Sequence, residues 1–424
     1  PASRDLCETL RAAVSAPRCN QKSLRISTGI VQPEQNMSSE KLPDEGGGDV
    51  VLGEEPEYEE KLDDAPKSIL LSMMRQLTTG MDLSRVTLPT FILEPRSFLE
   101  KCSDFMCHGS LILDIGSTPD PAERFLMVCK WYLSGWHFKP PGVKKPYNPI
   151  LGEVFTCRWD YGGDKGSTYY VAEQVSHHPP ISAFHFVNRK AGWVLNAAIK
   201  PKSKFLGNSA ASILEGEGHL HVLPFGENYK ITFPSYYVKG LVLGTLRMEI
   251  VGDIAIQCEK SGLELALSFK NKGWIRGTNN SVEGKVRKIG SSTTLYKIEG
   301  RWDRSLTITD KKSGKTTPFF DVDAEKQRSF TPLVAEPEAQ QAYFESRKVW
   351  THVTRALRSN SSTEAATEAK NKLEDGQRAG KTERTEKGLE WTPKIFQPVA
   401  APVNDPSWII KGVEYTPYNA SDPE

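Results

Sequence analysis

Residues 173–180 read Glu173-Gln174-Val175-Ser176-His177-His178-Pro179-Pro180. A strand-forming run, Thr168–Val175, leads into two adjacent histidines and is stopped by two prolines. Neighbouring side chains of a regular strand face opposite ways, so adjacent histidines make a poor chelate for one metal ion. If the chain bends at the prolines, both imidazoles can converge on one large anion. A generic His-His pair at a strand end is more often structural, so the pair does not decide its own role.

Working outward, residues from about Glu153 to Asp323 alternate short Val/Ile/Thr/Tyr/Phe-rich runs with turn residues. The runs are Val154–Trp159, Thr168–Val175, Ile181–Val187, Gly192–Ile199, Leu241–Val251, Ile254–Cys258, Leu263–Phe269 and Ser305–Ile308; Gly162-Gly163, Gly216, Gly226 and Asn279-Asn280 punctuate them. Many short strands at this spacing predict a mainly β fold, an antiparallel barrel or sandwich.

Helical patterns flank this region. Leu70, Met73, Met74 and Leu77 share one helical face, with Gly80 placed as a stop. That helix is either core packing or a movable flap. Pro95 to Cys107 has apolar residues at mixed three- and four-residue spacing, and Pro121 to Trp136 follows Asp120, a good N-cap. Ala339 to Leu357 and Ala365 to Arg378 read as exposed helices, and the segment from Trp391 to Trp408 as an extended wrap. Residues 1–50 read as a disordered arm, 51–88 as an acidic segment and lid, and 89–424 as the folded domain.

Composition narrows the function. The 424 residues carry a formal net charge of +1, so no global excess points to nucleic acid. Seven scattered cysteines without a Cys-x-x-Cys argue against a disulfide framework or zinc site and for reduced thiols in a cytoplasmic protein. No apolar run reaches the ~18 residues of a membrane helix, and no signal-peptide hydrophobic region is present. Gly-x-Ser-x-Gly, His-Glu-x-x-His and a P-loop are all absent, so neither an enzyme nor a metal or cofactor requirement is expected.

The octapeptide resembles the signature of the oxysterol-binding-protein-related lipid-transfer family. Lys145-Pro146-Tyr147-Asn148-Pro149-Ile150-Leu151-Gly152-Glu153 is similar to that family's second motif. Pro201 to Ser209, Gly252-Asp253, Gly300 to Asp303 and Trp391-Thr392-Pro393-Lys394-Ile395-Phe396 also have counterparts, so the resemblance covers roughly residues 60–400. It implies a large antiparallel β-barrel enclosing a lipid tunnel, with an N-terminal lid and C-terminal helices. It also implies exchange of a second lipid for phosphatidylinositol 4-phosphate, with peripheral contact at membranes such as the endoplasmic reticulum and its contact sites.

Carried over by position, His177 and His178 are the phosphate pair, and Lys145 and Asn148 contact the headgroup near the mouth. Lys370, Glu374 and Arg378 match a C-terminal trio whose i, i+4, i+8 spacing lies near one helical face. A phosphomonoester carries about −1.5 to −2 charge at neutral pH, which suits such donors. Residues 83–93 and 202–208 resemble members that carry phosphatidylserine; with Lys145 and Asn148, the residues implied for that headgroup are Leu88, Thr90 and Ser203. A sterol is the alternative cargo. Phe319-Phe320-Asp321-Val322-Asp323-Ala324-Glu325 superficially resembles an endoplasmic-reticulum receptor-binding peptide and is read as folded structure.

Overall fold

The computed structural model describes residues 59–83, 89–138, 142–242, 245–271, 279–326, 330–359, 363–399 and 407–412. Leu88, Lys139 and most of the acidic segment lie outside these residues. In chain order the strands are β1 (Glu59–Lys61), β2 (Leu93–Ser97), β3 (Lys145–Tyr147), β4 (Val154–Gly162), β5 (Gly166–His177), β6 (Pro180–Asn188) and β7 (Trp193–Phe205). They continue as β8 (Ser209–Val222), β9 (Glu227–Thr232), β10 (Ser235–Lys239), β11 (Thr245–Cys258), β12 (Leu263–Lys270) and β13 (Ser281–Lys288). The last are β14 (Thr294–Arg301), β15 (Ser305–Asp310), β16 (Thr316–Asp321), β17 (Leu333–Val334), β18 (Phe396–Pro398) and β19 (Trp408–Ile410).

Fifteen of these strands form one antiparallel sheet, ordered β16-β15-β14-β13-β12-β11-β10-β8-β7-β6-β5-β4-β17, with β9 on β8 and β11 and β1 on β11. Nearly every neighbour follows in sequence, as expected where short turns join consecutive strands. Inward and outward residues alternate cleanly in β12, whose apolar Leu263, Leu265, Leu267 and Phe269 are all buried. Residues 193–199 of β7 are buried on both faces, because the sheet packs on the main core inside and on the C-terminal segment outside.

The expected helix at residue 121 runs Pro121–Ser134 and is capped as its sequence suggests, with the Ala122 amide donating to Asp120. Its buried face joins Trp131 and Tyr132 to the aromatic core of Phe184, Phe186 and Trp193. Arg124 of the same helix forks onto Glu227 at 2.5 and 2.8 Å, a fully paired buried charge.

Elsewhere the elements differ from expectation. Pro95 lies in β2, and the following residues make only a short helix, Phe98–Lys101, and a 3₁₀ turn, Cys102–Met106. The residue before a proline is held extended, which delays the helix start. The C-terminal helices are Ser346–Val349, Thr351–Arg358 and Thr363–Glu386. Phe319, Phe320 and Val322 are buried at the end of β16, so the receptor-like peptide is folded core. Among the described residues no helix is long and apolar enough to cross a membrane.

Candidate functional site

One large cavity opens between the inner face of the sheet and the N-terminal helix Asp64–Met74. With its open mouth it encloses about 2670 Å³ of space free of protein atoms. The helix supplies Leu70, Met73 and Met74 to the lining, and Leu77 and Leu83 follow it there. This is the apolar face predicted from spacing, and it packs as a cover with Phe205, Leu241 and Leu246. β1 pins the helix start to β11, and Glu60 accepts hydrogen bonds from the Val143 amide at 2.9 Å and Lys144 Nζ at 2.8 Å.

The octapeptide forms the β5–β6 hairpin end, where His177 pairs with Pro180 across a bend carrying a cis His178–Pro179 peptide. The two imidazoles meet at 4.6 Å between centroids, 67° apart, and both line the cavity. A register shift between Gln174 and Ser176 makes this possible. Gln174 and His177 are three residues apart and would face opposite sides of a regular strand; the bulge resets the phase so that both line the cavity.

The two long motifs lie side by side. The Gly152 amide donates to Gln174 O and the Gln174 amide to Glu153 O, both at 2.9 Å. Glu153 is buried and accepts from Ser97, from Ser346 Oγ at 2.7 Å, from Trp350 Nε1 at 2.9 Å and from the Ile150 amide at 3.0 Å. Burial nonetheless pushes its carboxyl up, against those bonds. Glu173 is equally buried and holds the backbone amides of Lys394, Ile395 and Phe396 at 2.6–3.1 Å. Gly152 adopts φ +76°, and a Cβ there would meet the Trp391 ring at 2.4 Å, so three motifs distant in sequence interlock at one point.

That framework presents Lys145, Asn148, His177, His178, Ser203, Lys370 and Glu374 to the same cavity lining. The helix Thr363–Glu386 delivers the last two by packing Ala369 and Leu373 on Leu93, Tyr147 and Trp350. Lys370 pairs with Glu374 at 2.7 Å. Arg378 is turned outward and pairs instead with Asp375 at 2.5 Å. At about 100° per residue, i+4 lies ~40° from i but i+8 lies ~80° away, beyond the buried stripe. Thr90 is also outside the lining; it is buried, with its hydroxyl 3.4 Å from that of Thr367.

Electrostatics mark the mouth. Lys145 lines the cavity with an accessible side chain; desolvation by the surrounding wall, then repulsion by Lys370, pull its ammonium down to about 8 against the attraction of Glu374. Desolvation, then His178 and Lys381, lower His177 to about 4, and its buried Nδ1 has no partner among the described residues. A neutral imidazole and a weakened ammonium at one mouth are groups that an anion would recharge. Cys107, His108 and His137 also bring metal-ligand atom types within 4.8 Å, but His108 and His137 bond each other at 2.7 Å, outside the cavity lining. Sequence reasoning did not foresee Glu94, Trp136, Ser182 and Tyr236 as lining residues; no local pattern distinguishes them from ordinary core or turn residues.

Comparison with known proteins agrees with this architecture. The family model described as Oxysterol-binding protein matches residues 69–360. The chain belongs to the oxysterol-binding protein family. It is 41% identical over 376 residues to Oxysterol-binding protein 4 of Dictyostelium discoideum, covering 86% of this chain and 78% of that one. It is 44% identical over 352 residues to Oxysterol-binding protein-related protein 8 of Homo sapiens, covering 82% of this chain but 39% of that longer relative. The Osh1 ORD domain, solved in complex with cholesterol, superposes with a TM-score of 0.68 at 25% identity, over 83% of this chain and 88% of that domain. The large antiparallel sheet of this chain, the fold class expected from the sequence, forms one wall of the cavity.

Proposed function

We propose that the protein extracts phosphatidylserine from one membrane and exchanges it for phosphatidylinositol 4-phosphate at another. One observation carries the reading: phosphate-suited side chains from three separate segments share the lining of a single apolar cavity beneath an apolar cover. His177 and His178 take the phosphate. Lys145, Asn148, Lys370 and Glu374 take the rest of the headgroup, and Arg378 stands at the outer rim. Lys145, Asn148 and Ser203 take the serine headgroup, joined on the strength of the family resemblance by Leu88 and Thr90.

The cavity also meets the energetic demand. Each buried CH₂ is worth about 0.8 kcal/mol, so lifting a two-chain lipid out of a bilayer costs on the order of 20 kcal/mol unless another apolar environment replaces it. Two lipids that compete for one cavity can be carried in opposite directions by the gradient of either, without covalent chemistry. The choice of phosphatidylserine rests on the resemblance of residues 83–93 and 202–208. A sterol is the second reading, favoured by the likeness to the Osh1 domain solved with cholesterol.

The test is extraction from liposomes that each contain one labelled lipid, followed by two-liposome transfer. Phosphatidylinositol 4-phosphate and phosphatidylserine should each be extracted unchanged, and each should accelerate counter-transfer of the other. Efficient sterol extraction with phosphatidylserine ignored would replace the second lipid. A new lipid product would make the protein an enzyme, and binding without transfer would make it a sensor.

A further inference from the structure

The cavity wall carries an acceptor that the mouth does not use. Glu94 of β2 is 3% exposed and lines the cavity. Its Oε1 accepts from Arg96, while its buried Oε2 has no hydrogen-bond partner among the described residues. The surrounding charges are already matched. Arg96 forks onto Asp104 at 2.9 and 3.0 Å, and Lys101 donates to Asp104 at 2.6 Å and to Phe138 O at 2.9 Å. Two carboxylates and two cations therefore balance, and among the described residues the acceptor left over on this part of the wall is the buried Glu94 Oε2.

The neighbouring wall sharpens this. Trp136 also lines the cavity, is buried, and has no partner for its Nε1–H among the described residues. Its ring lies 6.1 Å from that of Tyr236, a third lining residue. Burial, then the nearness of Cys102, Asp104 and Glu94, keep the Tyr236 phenol protonated. A buried carboxylate oxygen without a donor is strongly disfavoured, and a phosphate, itself an acceptor, cannot supply one. What satisfies it is a hydroxyl or an ammonium.

We propose that Glu94 selects the second lipid, its free Oε2 accepting a hydrogen bond from a hydroxyl or ammonium on the cargo. The inference rests on the exchange reading and deepens it. The mouth cations take the phosphate of phosphatidylinositol 4-phosphate; the Glu94 wall repels phosphate and rewards a donor. The inositol hydroxyls of phosphatidylinositol 4-phosphate are held with its phosphate at the mouth, so the donor comes from two other lipid classes, the aminophospholipids through the headgroup ammonium and the sterols through the ring hydroxyl.

The experiment compares wild type, Glu94→Gln and Glu94→Leu for extraction of phosphatidylserine, cholesterol, cholesterol methyl ether and phosphatidylinositol 4-phosphate from liposomes. Circular dichroism and phosphatidylinositol 4-phosphate extraction report folding and an intact cavity. A hydrogen bond to a charged group corresponds to about 10- to 100-fold in affinity. Glu94→Leu should lose that much for whichever donor lipid the wild type extracts. Glu94→Gln, which keeps a neutral acceptor, should lose less, and phosphatidylinositol 4-phosphate should change by less than about twofold. Selective loss of phosphatidylserine names the ammonium. Selective loss of cholesterol, with the methyl ether rejected by wild type, names the hydroxyl. Equal loss of all lipids would make Glu94 part of the wall alone, and no loss would mean that its oxygen meets only water; either overturns the proposal while exchange stands. Wild type that extracts phosphatidylinositol 4-phosphate but neither other lipid would overturn the exchange reading itself, and the selection with it.

Discussion

Glu173 and His177 stand four residues apart in one strand and have opposite fates. The carboxylate is buried and spends both oxygens on three backbone amides of the C-terminal segment. The imidazole lines the cavity, and its Nδ1 has no partner among the described residues. The neighbouring motif repeats the division, with Glu153 saturated by four donors and Lys145 facing the cavity. Each motif therefore has a structural end and, on the proposed reading, a ligand end. A saturated buried group holds the fold, while an unsaturated group at a cavity is available to something that arrives.

The largest test of this division replaces both histidines by alanine. Each hydrogen bond to a doubly charged phosphate is worth about 1.5–3 kcal/mol, so phosphatidylinositol 4-phosphate extraction should fall by about 100-fold or more. The unfolding midpoint in urea should hardly move. Unfolding of the variant, or unchanged extraction, would erase the distinction between the two ends.

Glu173→Ala should behave in the opposite sense. Three buried amides lose their acceptor, and destabilisation on the order of 3–5 kcal/mol is expected from denaturant titration. Phosphatidylinositol 4-phosphate extraction by the fraction that remains folded should change far less than in the histidine variant. A stable Glu173→Ala protein that cannot bind phosphoinositide would place the carboxylate at the ligand end.

A smaller effect concerns protons. In the unliganded protein His177 sits near 4 and Lys145 near 8. A bound phosphate favours the charged form of both, so their pKa values rise on binding and binding takes up protons. Affinity should therefore increase as pH falls from about 9 to about 6.5, by at most about tenfold per unit for each proton taken up, until the phosphate itself protonates near 6. Calorimetry in buffers of different ionisation enthalpy reads the uptake directly; proton release on binding would contradict the assignment.

The smallest effect is at the cover. Glu60→Gln weakens the contacts to the Val143 amide and Lys144, a half-exposed latch worth about 0.5–1 kcal/mol. Lipid exchange should quicken about two- to fivefold at low salt, and the difference should narrow at high salt as the Debye length shrinks. No change in stopped-flow transfer rates would mean that β1 and the apolar face hold the cover without the ion pair.

Much of the site was legible from local pattern because its residues sit in short, chemically distinctive runs. His177-His178 beside two prolines, and Lys145 and Asn148 in one nonapeptide, stood out through their resemblance to family motifs, and the 70/73/74/77 face through helical spacing that left core packing and a movable flap both open. Arg378 shows the limit. Its spacing is helical, but only the packing of Ala369 and Leu373 sets where the helix turns away from the cavity. Thr90 shows another limit, since the C-terminal helix that approaches it lies 277 residues further along the chain.

The sequence by itself determined the strand-rich class, the flanking helices, the apolar cover and the residue types at the mouth. The class, the helices and the apolar face follow from periodicity and from proline and glycine placement, which act over a few residues, whereas the mouth residues follow from the resemblance of whole motifs. The tertiary structure alone decided which carboxylates are saturated and which oxygen is left over. It also decided that a one-residue bulge turns Gln174 and His177 to the same cavity, and that Glu94, Trp136 and Tyr236 share its wall. Hydrogen-bond saturation and strand phase depend on partners brought from distant segments, and no local pattern encodes them.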